Sequence, residues 1–66
     1  MDTNTEKLIM YTVKDLQEIF DCSKAFAYTL VHAGGFPSLR IGGKILVEKT
    51  ALEEWVKKNK GKSILL

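Results

Sequence analysis

Residues 23–44 read SKAFAYTLVHAGGFPSLRIGGK, and this segment predicts a helix, a glycine stop and a tight hairpin in succession. Ser23 is expected to cap a helix over residues 23–33, because its hydroxyl can accept from the free N–H groups of a first turn. Gly34-Gly35 permits the left-handed backbone that ends a helix, and Pro37 prevents the helix from resuming. The chain must therefore turn after the two glycines.

One side of this predicted helix is small and apolar, which indicates that it faces a core. The apolar positions recur at i, i+3, i+4 and i+7 and are Ala27, Leu30, Val31 and Gly34. The opposite side carries Ala25, Thr29 and His32, and the flanks carry Phe26 and Tyr28. The helix is thus predicted to keep one mixed polar and aromatic face for solvent or a partner.

A β-hairpin is predicted next. Residues 38–41 and 44–47 are two strand-length runs separated only by Gly42-Gly43. A two-residue link between twisted strands favours turns with positive φ, and we expect positive φ at both glycines. Arg40 and Lys44 bracket this turn and bring two cations to the hairpin.

Helix 1 precedes residue 23 and is predicted over about residues 13–20 from its apolar spacing. The helix over residues 23–33 is therefore helix 2, the second helix of the chain. Thr12 and Asp15 stand three apart, as in a capping box, with Asp in place of the usual Glu or Gln. Only Asp21-Cys22 separates this helix from Ser23. So short a link forces the two helices to cross steeply, which predicts a helix-turn-helix.

A third helix is predicted over about residues 49–59, where helical spacing returns after the hairpin. Trp55 is the largest apolar side chain in the chain, and we expect it to be buried between helix 1 and the hairpin. Residues 8–11 are apolar enough to form a short strand along the hairpin.

Length and composition favour one compact domain over residues 1–66, with loose termini at 1–7 and 61–66. The chain is 45% hydrophobic and 27% charged, as expected of a folded protein. It has neither a secretory signal nor an apolar run near the length of a membrane span. We therefore expect a cytoplasmic protein with no membrane partner.

Charge is distributed unevenly along the chain. Residues 1–21 hold two lysines against five acidic residues, whereas residues 22–66 hold eight lysines and arginines against three glutamates. The net charge of +2 therefore conceals a basic second half. This asymmetry favours a polyanionic partner for the second helix, the hairpin and the tail.

Catalytic and metal-binding patterns are not found in the sequence. The single Cys22 and the single His32 cannot supply a zinc site or a disulfide. No set of nucleophile, base and orienting group is present, and no phosphate-binding glycine loop precedes a helix. The sequence predicts that the protein is not an enzyme and takes no cofactor, metal or small-molecule substrate.

At this point the sequence resembles the small excisionase-type, MerR-like winged helix-turn-helix proteins of phages and integrative elements. The similarity is carried by motifs in fixed order, which are Tyr11–Leu16, Ser23–Val31, Phe36-Pro37, Arg40–Lys44 and Ala51–Trp55. The resemblance implies a mainly α fold with a small β-hairpin, the wing. It also implies that helix 2 enters the major groove of double-stranded DNA while the wing lies on the backbone or in the minor groove.

The resemblance implies that the protein is an excisionase, that is a recombination directionality factor acting beside a tyrosine recombinase, or a transcriptional regulator of a mobile element. Cooperative self-association on DNA is compatible with either role. The residues expected to contact DNA are Ser23, Lys24, Ala25, Phe26, Tyr28, Thr29, Arg40, Gly42 and Lys44.

Several positions depart from the family pattern. Relatives usually carry Gly at Asp21, a polar residue at Phe26 and commonly Arg at Thr29. Lys24 is then the only lysine or arginine of helix 2, so binding is expected to depend on the wing, on backbone amides or on neighbouring protomers. Two interpretations of Phe26 have equal weight: contact with a thymine methyl or base step, and packing on the wing or on another protomer.

A second function class stays open. In this alternative the winged helix is mainly a protein-interaction module, and its contact points are Phe26 and the apolar tip Ile64–Leu66.

Overall fold

The computed structural model describes residues 7–63, which form three helices and a three-stranded antiparallel sheet. The elements in chain order are β1 (Met10–Tyr11), α1 (Val13–Phe20), α2 (Lys24–Val31), β2 (Ser38–Ile41), β3 (Lys44–Glu48) and α3 (Lys49–Lys58). This is the predicted mainly α fold with a small hairpin, and it is consistent with a winged helix-turn-helix. The predicted apolar tip Ile64–Leu66 lies outside the described residues.

The sheet has the strand order β1-β3-β2. The hairpin pairs Ser38 with Val47 and Ile41 with Lys44, and β1 pairs Tyr11 with Val47 on the other side of β3. The expected short strand along the hairpin is confirmed, but it covers only Met10–Tyr11 and not residues 8 and 9. Since β1 covers only the last two residues of β3, the wing extends beyond β1 towards the first turns of α1 and α2.

Helix α1 begins at the predicted capping box. The Asp15 N–H donates to Thr12 Oγ1 (3.1 Å), and the Thr12 N–H donates to Asp15 Oδ2 (2.9 Å). The helix ends at Asp21, whose φ of 52° is left-handed. Asp tolerates this conformation better than most residues with a Cβ, which explains how the chain turns here without a glycine.

Helix α2 has the predicted N-cap but is shorter than predicted. It ends at Val31 rather than at residue 33, because His32 forms the C-cap and Ala33 already bonds back to Leu30 O in a turn (3.0 Å). Gly35 then takes a left-handed φ of 86°. Gly34 consequently lies outside the helix and is exposed, so it is not part of the buried stripe.

The prediction for the hairpin turn is wrong at one of its two glycines. Gly42 has a φ of 60°, but Gly43 is not in the left-handed region. A two-residue hairpin of type II′ requires positive φ only at its first central residue, so the turn needs one left-handed glycine and not two.

The core lies where α1, α2 and α3 meet the inner face of the sheet. Its buried members are Leu16, Leu30, Val31, Phe36, Val47 and Leu52, with Ala27 also fully buried. They include the three stripe residues of α2 that lie within the helix, as predicted.

The prediction that Trp55 is buried is wrong. Trp55 is only half-buried and packs edge-on against two rings, with centroid distances of 4.9 Å to Phe36 and 6.5 Å to Phe20. The residue of α3 that enters the core is Leu52, which is 4% exposed. The indole packs against the edge of the core instead of filling its centre.

A turn follows α3. Gly61 has a left-handed φ of 82°, and the Lys62 N–H donates to Asn59 O (3.0 Å). The loose terminus expected from residue 61 stays a prediction.

Candidate nucleic-acid interface

One face of α2 is free of the core over its whole length. The residues on this face are Lys24, Ala25, Phe26, Tyr28 and Thr29, and all are exposed. Phe26 is 45% and Tyr28 is 41% exposed. The predicted contact residues of helix 2 thus share one accessible face.

Ser23 has a structural role at this face. Its Oγ accepts from the Phe26 N–H (3.1 Å), which satisfies one of the free donors of the first turn. Ser23 thereby fixes where α2 begins and how its first turn is presented.

The hydroxyl of Thr29 is already engaged within the helix. Its Oγ1 donates to Ala25 O (3.0 Å) and so uses the only proton that it has. What remains exposed are the oxygen lone pairs and the methyl group. Thr29 can therefore accept from a base amino group or contact a thymine methyl, but it cannot donate in this geometry.

An open groove separates the first turns of α1 and α2 from the wing. Three exposed lysines line it, one from each element: Lys14 of α1, Lys24 of α2 and Lys44 of β3. We call this cleft the lysine groove. Tyr28 borders it as well, and the Lys24 Nζ lies 6.0 Å from the centroid of the Tyr28 ring. Three lysines in one cleft suit the phosphate backbone of a nucleic acid, although Glu18 also lines the cleft.

Lys14 was missed in the prediction of contact residues. It lies on the first turn of α1 and, in sequence, is far from the wing. Pairing of Tyr11 with Val47 brings that turn beside the hairpin. No local pattern around Lys14 signals this neighbourhood.

The two wing cations do not act as a pair. Arg40 stands opposite Ile45 in the ladder and Lys44 stands opposite Ile41, so their side chains leave opposite faces of the hairpin. Lys44 lines the lysine groove, whereas the Arg40 guanidinium reaches His32 at the end of α2. Gly42 contributes the turn between them.

Within residues 7–63 no group of three or more His, Cys, Asp or Glu side chains is placed to hold a metal ion. In the same part of the chain, no helix has the length and apolarity needed to cross a membrane.

Comparison with known proteins identifies the family. The family model of a helix-turn-helix domain matches residues 10–60. This span runs from β1 to the end of α3 and includes every residue of the face and groove described above. No curated protein and no solved structure matches the chain. The chain therefore belongs to the helix-turn-helix domain family, a DNA-binding, non-catalytic kind of domain found in small DNA-binding proteins.

Proposed function

We propose that the protein is a cytoplasmic DNA-binding protein that places α2 in the major groove and the wing on the adjacent backbone or minor groove. The observation that carries this proposal is the lysine groove beside the exposed face of α2. A duplex whose bases meet that face has a phosphate strand nearby, and a cleft with Lys14, Lys24 and Lys44 is suited to hold it.

The groove also compensates for the low positive charge of α2. Lys24 is the only lysine or arginine of that helix, but the fold adds one lysine from α1 and one from the wing. Two of the three groove lysines therefore come from outside α2.

Within this framework we further propose an excisionase, acting beside a tyrosine recombinase, or a transcriptional regulator of a mobile element. What supports these roles is the small size of the domain together with its ordered family motifs. An excisionase should switch an integrase encoded beside its gene from integration to excision in a reconstituted reaction. A regulator should change expression from a promoter in the neighbouring DNA without any recombinase. DNase footprints that grow in steps with protein concentration would support cooperative self-association.

The first test of DNA binding is fluorescence anisotropy with the intergenic duplex beside the gene and a scrambled duplex, across a salt series. Three groove lysines and Arg40 supply four side-chain phosphate contacts, so we expect log Kobs to fall with log salt at a slope of about −3.6. The intergenic duplex should bind more tightly than the scrambled one.

Absence of binding to either duplex at low salt would contradict the proposal. It would instead favour the protein-interaction alternative, because an apolar protein contact through Phe26 does not need phosphates.

Sequence preference is expected to depend on the methyl group of Thr29. Its hydroxyl proton is donated to Ala25 O, so we expect the methyl group to make the contact that distinguishes one base from another. Thr29→Val keeps that methyl and should retain the preference for the intergenic duplex. Thr29→Ala should reduce the preference by roughly fivefold, the loss of one weak base contact. Competition between the two duplexes measures this ratio, and equal effects of Val and Ala would point to the hydroxyl oxygen.

A further inference from the structure

The C-terminal end of α2 is tied to the wing by two side-chain hydrogen bonds. The Ser38 Oγ donates to Val31 O (2.7 Å), and the Arg40 Nη2 lies 3.1 Å from the His32 Nε2. Ser38 and Arg40 both belong to β2 and point to the same face of it. The wing is thus joined to the end of α2 at Ser38, the first residue of β2, and again two residues further along at Arg40.

The partners of His32 determine its tautomer. The His32 Nδ1 lies 2.7 Å from Tyr28 O, and a carbonyl oxygen can only accept, so Nδ1 carries a proton. An arginine can only donate, so Nε2 must accept from Arg40 and carries none. In this geometry the imidazole bridges a carbonyl of α2 and a cation of the wing, with Nδ1 as the donor and Nε2 as the acceptor.

We propose that His32 is a positioning residue for DNA binding, which holds the Arg40 guanidinium beside the end of α2. The proposal rests on the proposed function and adds a specific mechanical role to a residue outside the predicted contact set. Arginine is long and exposed, and free in solution it samples many rotamers. The bond to His32 uses one of its five donors and leaves the others for a phosphate or a narrow minor groove.

In this arrangement the two wing cations, Arg40 and Lys44, lie at opposite ends of α2. Lys44 contributes to the groove shared with α1 and the start of α2, while Arg40 is held at the other end of α2. Contacts at both ends of one helix constrain its orientation on a duplex better than two contacts at the same end.

A double-mutant cycle tests the role of His32. The proteins are the parent, His32→Ala, Arg40→Ala and the double variant, and the probe is a mixed-sequence duplex of about 21 bp, two helical turns. Anisotropy is measured at low salt and at alkaline pH, where histidines are generally neutral. His32→Ala should weaken binding roughly fivefold, as expected for one lost hydrogen bond. In the Arg40→Ala background the same change should alter the affinity by less than about twofold.

Rescue provides the matched control. His32→Gln retains an amide N–H and a carbonyl oxygen, so it can donate and accept at similar reach and should recover most of the loss. Equal losses from His32→Ala in both backgrounds would overturn the proposal, because His32 would then act on DNA directly or on folding. Thermal melts of the variants by circular dichroism identify a folding defect.

A measurement on the free protein separates this proposal from the proposed function. Nitrogen NMR of the imidazole should show a protonated Nδ1 and an unprotonated Nε2, and Arg40→Ala should shift the Nε2 signal. An Nε2-protonated tautomer would overturn the inference even if the protein binds DNA well. A parent that binds no duplex would instead contradict DNA binding, while the NMR signals would still decide whether His32 holds Arg40.

Discussion

Leu16→Ala is expected to lower the free energy of unfolding by about 3–5 kcal/mol. Leu16 is 0% exposed and lies in the core cluster between α1, α2 and the sheet, so the surrounding side chains have little room to close the space it leaves. Small domains have only about 5–15 kcal/mol in total. The variant should therefore be largely unfolded at moderate urea concentrations that leave the parent folded.

Ile19→Ala on the same helix is the matched control. Ile19 is 48% exposed, and its truncation should cost no more than about 1 kcal/mol. Urea titrations followed by circular dichroism compare the two. If both variants unfold at the same urea concentration, the described packing of α1 is wrong.

The second large effect is expected from removing the lysine groove. The triple variant Lys14→Ala, Lys24→Ala, Lys44→Ala should reduce the log–log salt slope by up to about 2.7, at about 0.9 for each lost phosphate contact. Extended from molar to physiological salt, that change in slope corresponds to a loss of affinity on the order of a hundredfold. The loss should be similar for the intergenic and the scrambled duplex, because phosphate contacts carry no sequence information.

A second triple variant carries the same change in net charge at another place. Lys57 and Lys58 end α3, and Lys60 follows its C-cap. All three are exposed and do not line the groove. Their replacement by alanine should weaken binding much less. Equal losses in both triple variants would mean that net charge alone attracts DNA and that the groove is not the binding site.

Local interactions account for the parts of this fold that were predictable. Thr12 and Asp15 are three residues apart, so the capping box that begins α1 needs no distant partner. The same holds for Ser23 at the start of α2. Gly35 and Gly42 mark real turns because few other residues adopt their φ values at low cost.

The tertiary structure alone decided which side chain of α3 fills the core. Helical spacing places Leu52 and Trp55 on one face, and size favoured Trp55 as the buried member. The space left by Leu16, Val31, Phe36 and Val47 admits Leu52, and the indole closes the edge. This outcome depends on the shape of a core built by several elements. The spacing of residues along one helix carries no information about that shape.

Thus the sequence by itself determined the helices, the hairpin and the accessible face of α2, because capping, periodicity and turn chemistry act over a few residues. The composition of the candidate site was decided only in three dimensions. Lys14 joins Lys24 and Lys44 because β1 pairs with β3, and His32 meets Arg40 because the wing folds back on the end of α2. These contacts link residues on different elements, and their physical cause is the packing of those elements around one small core.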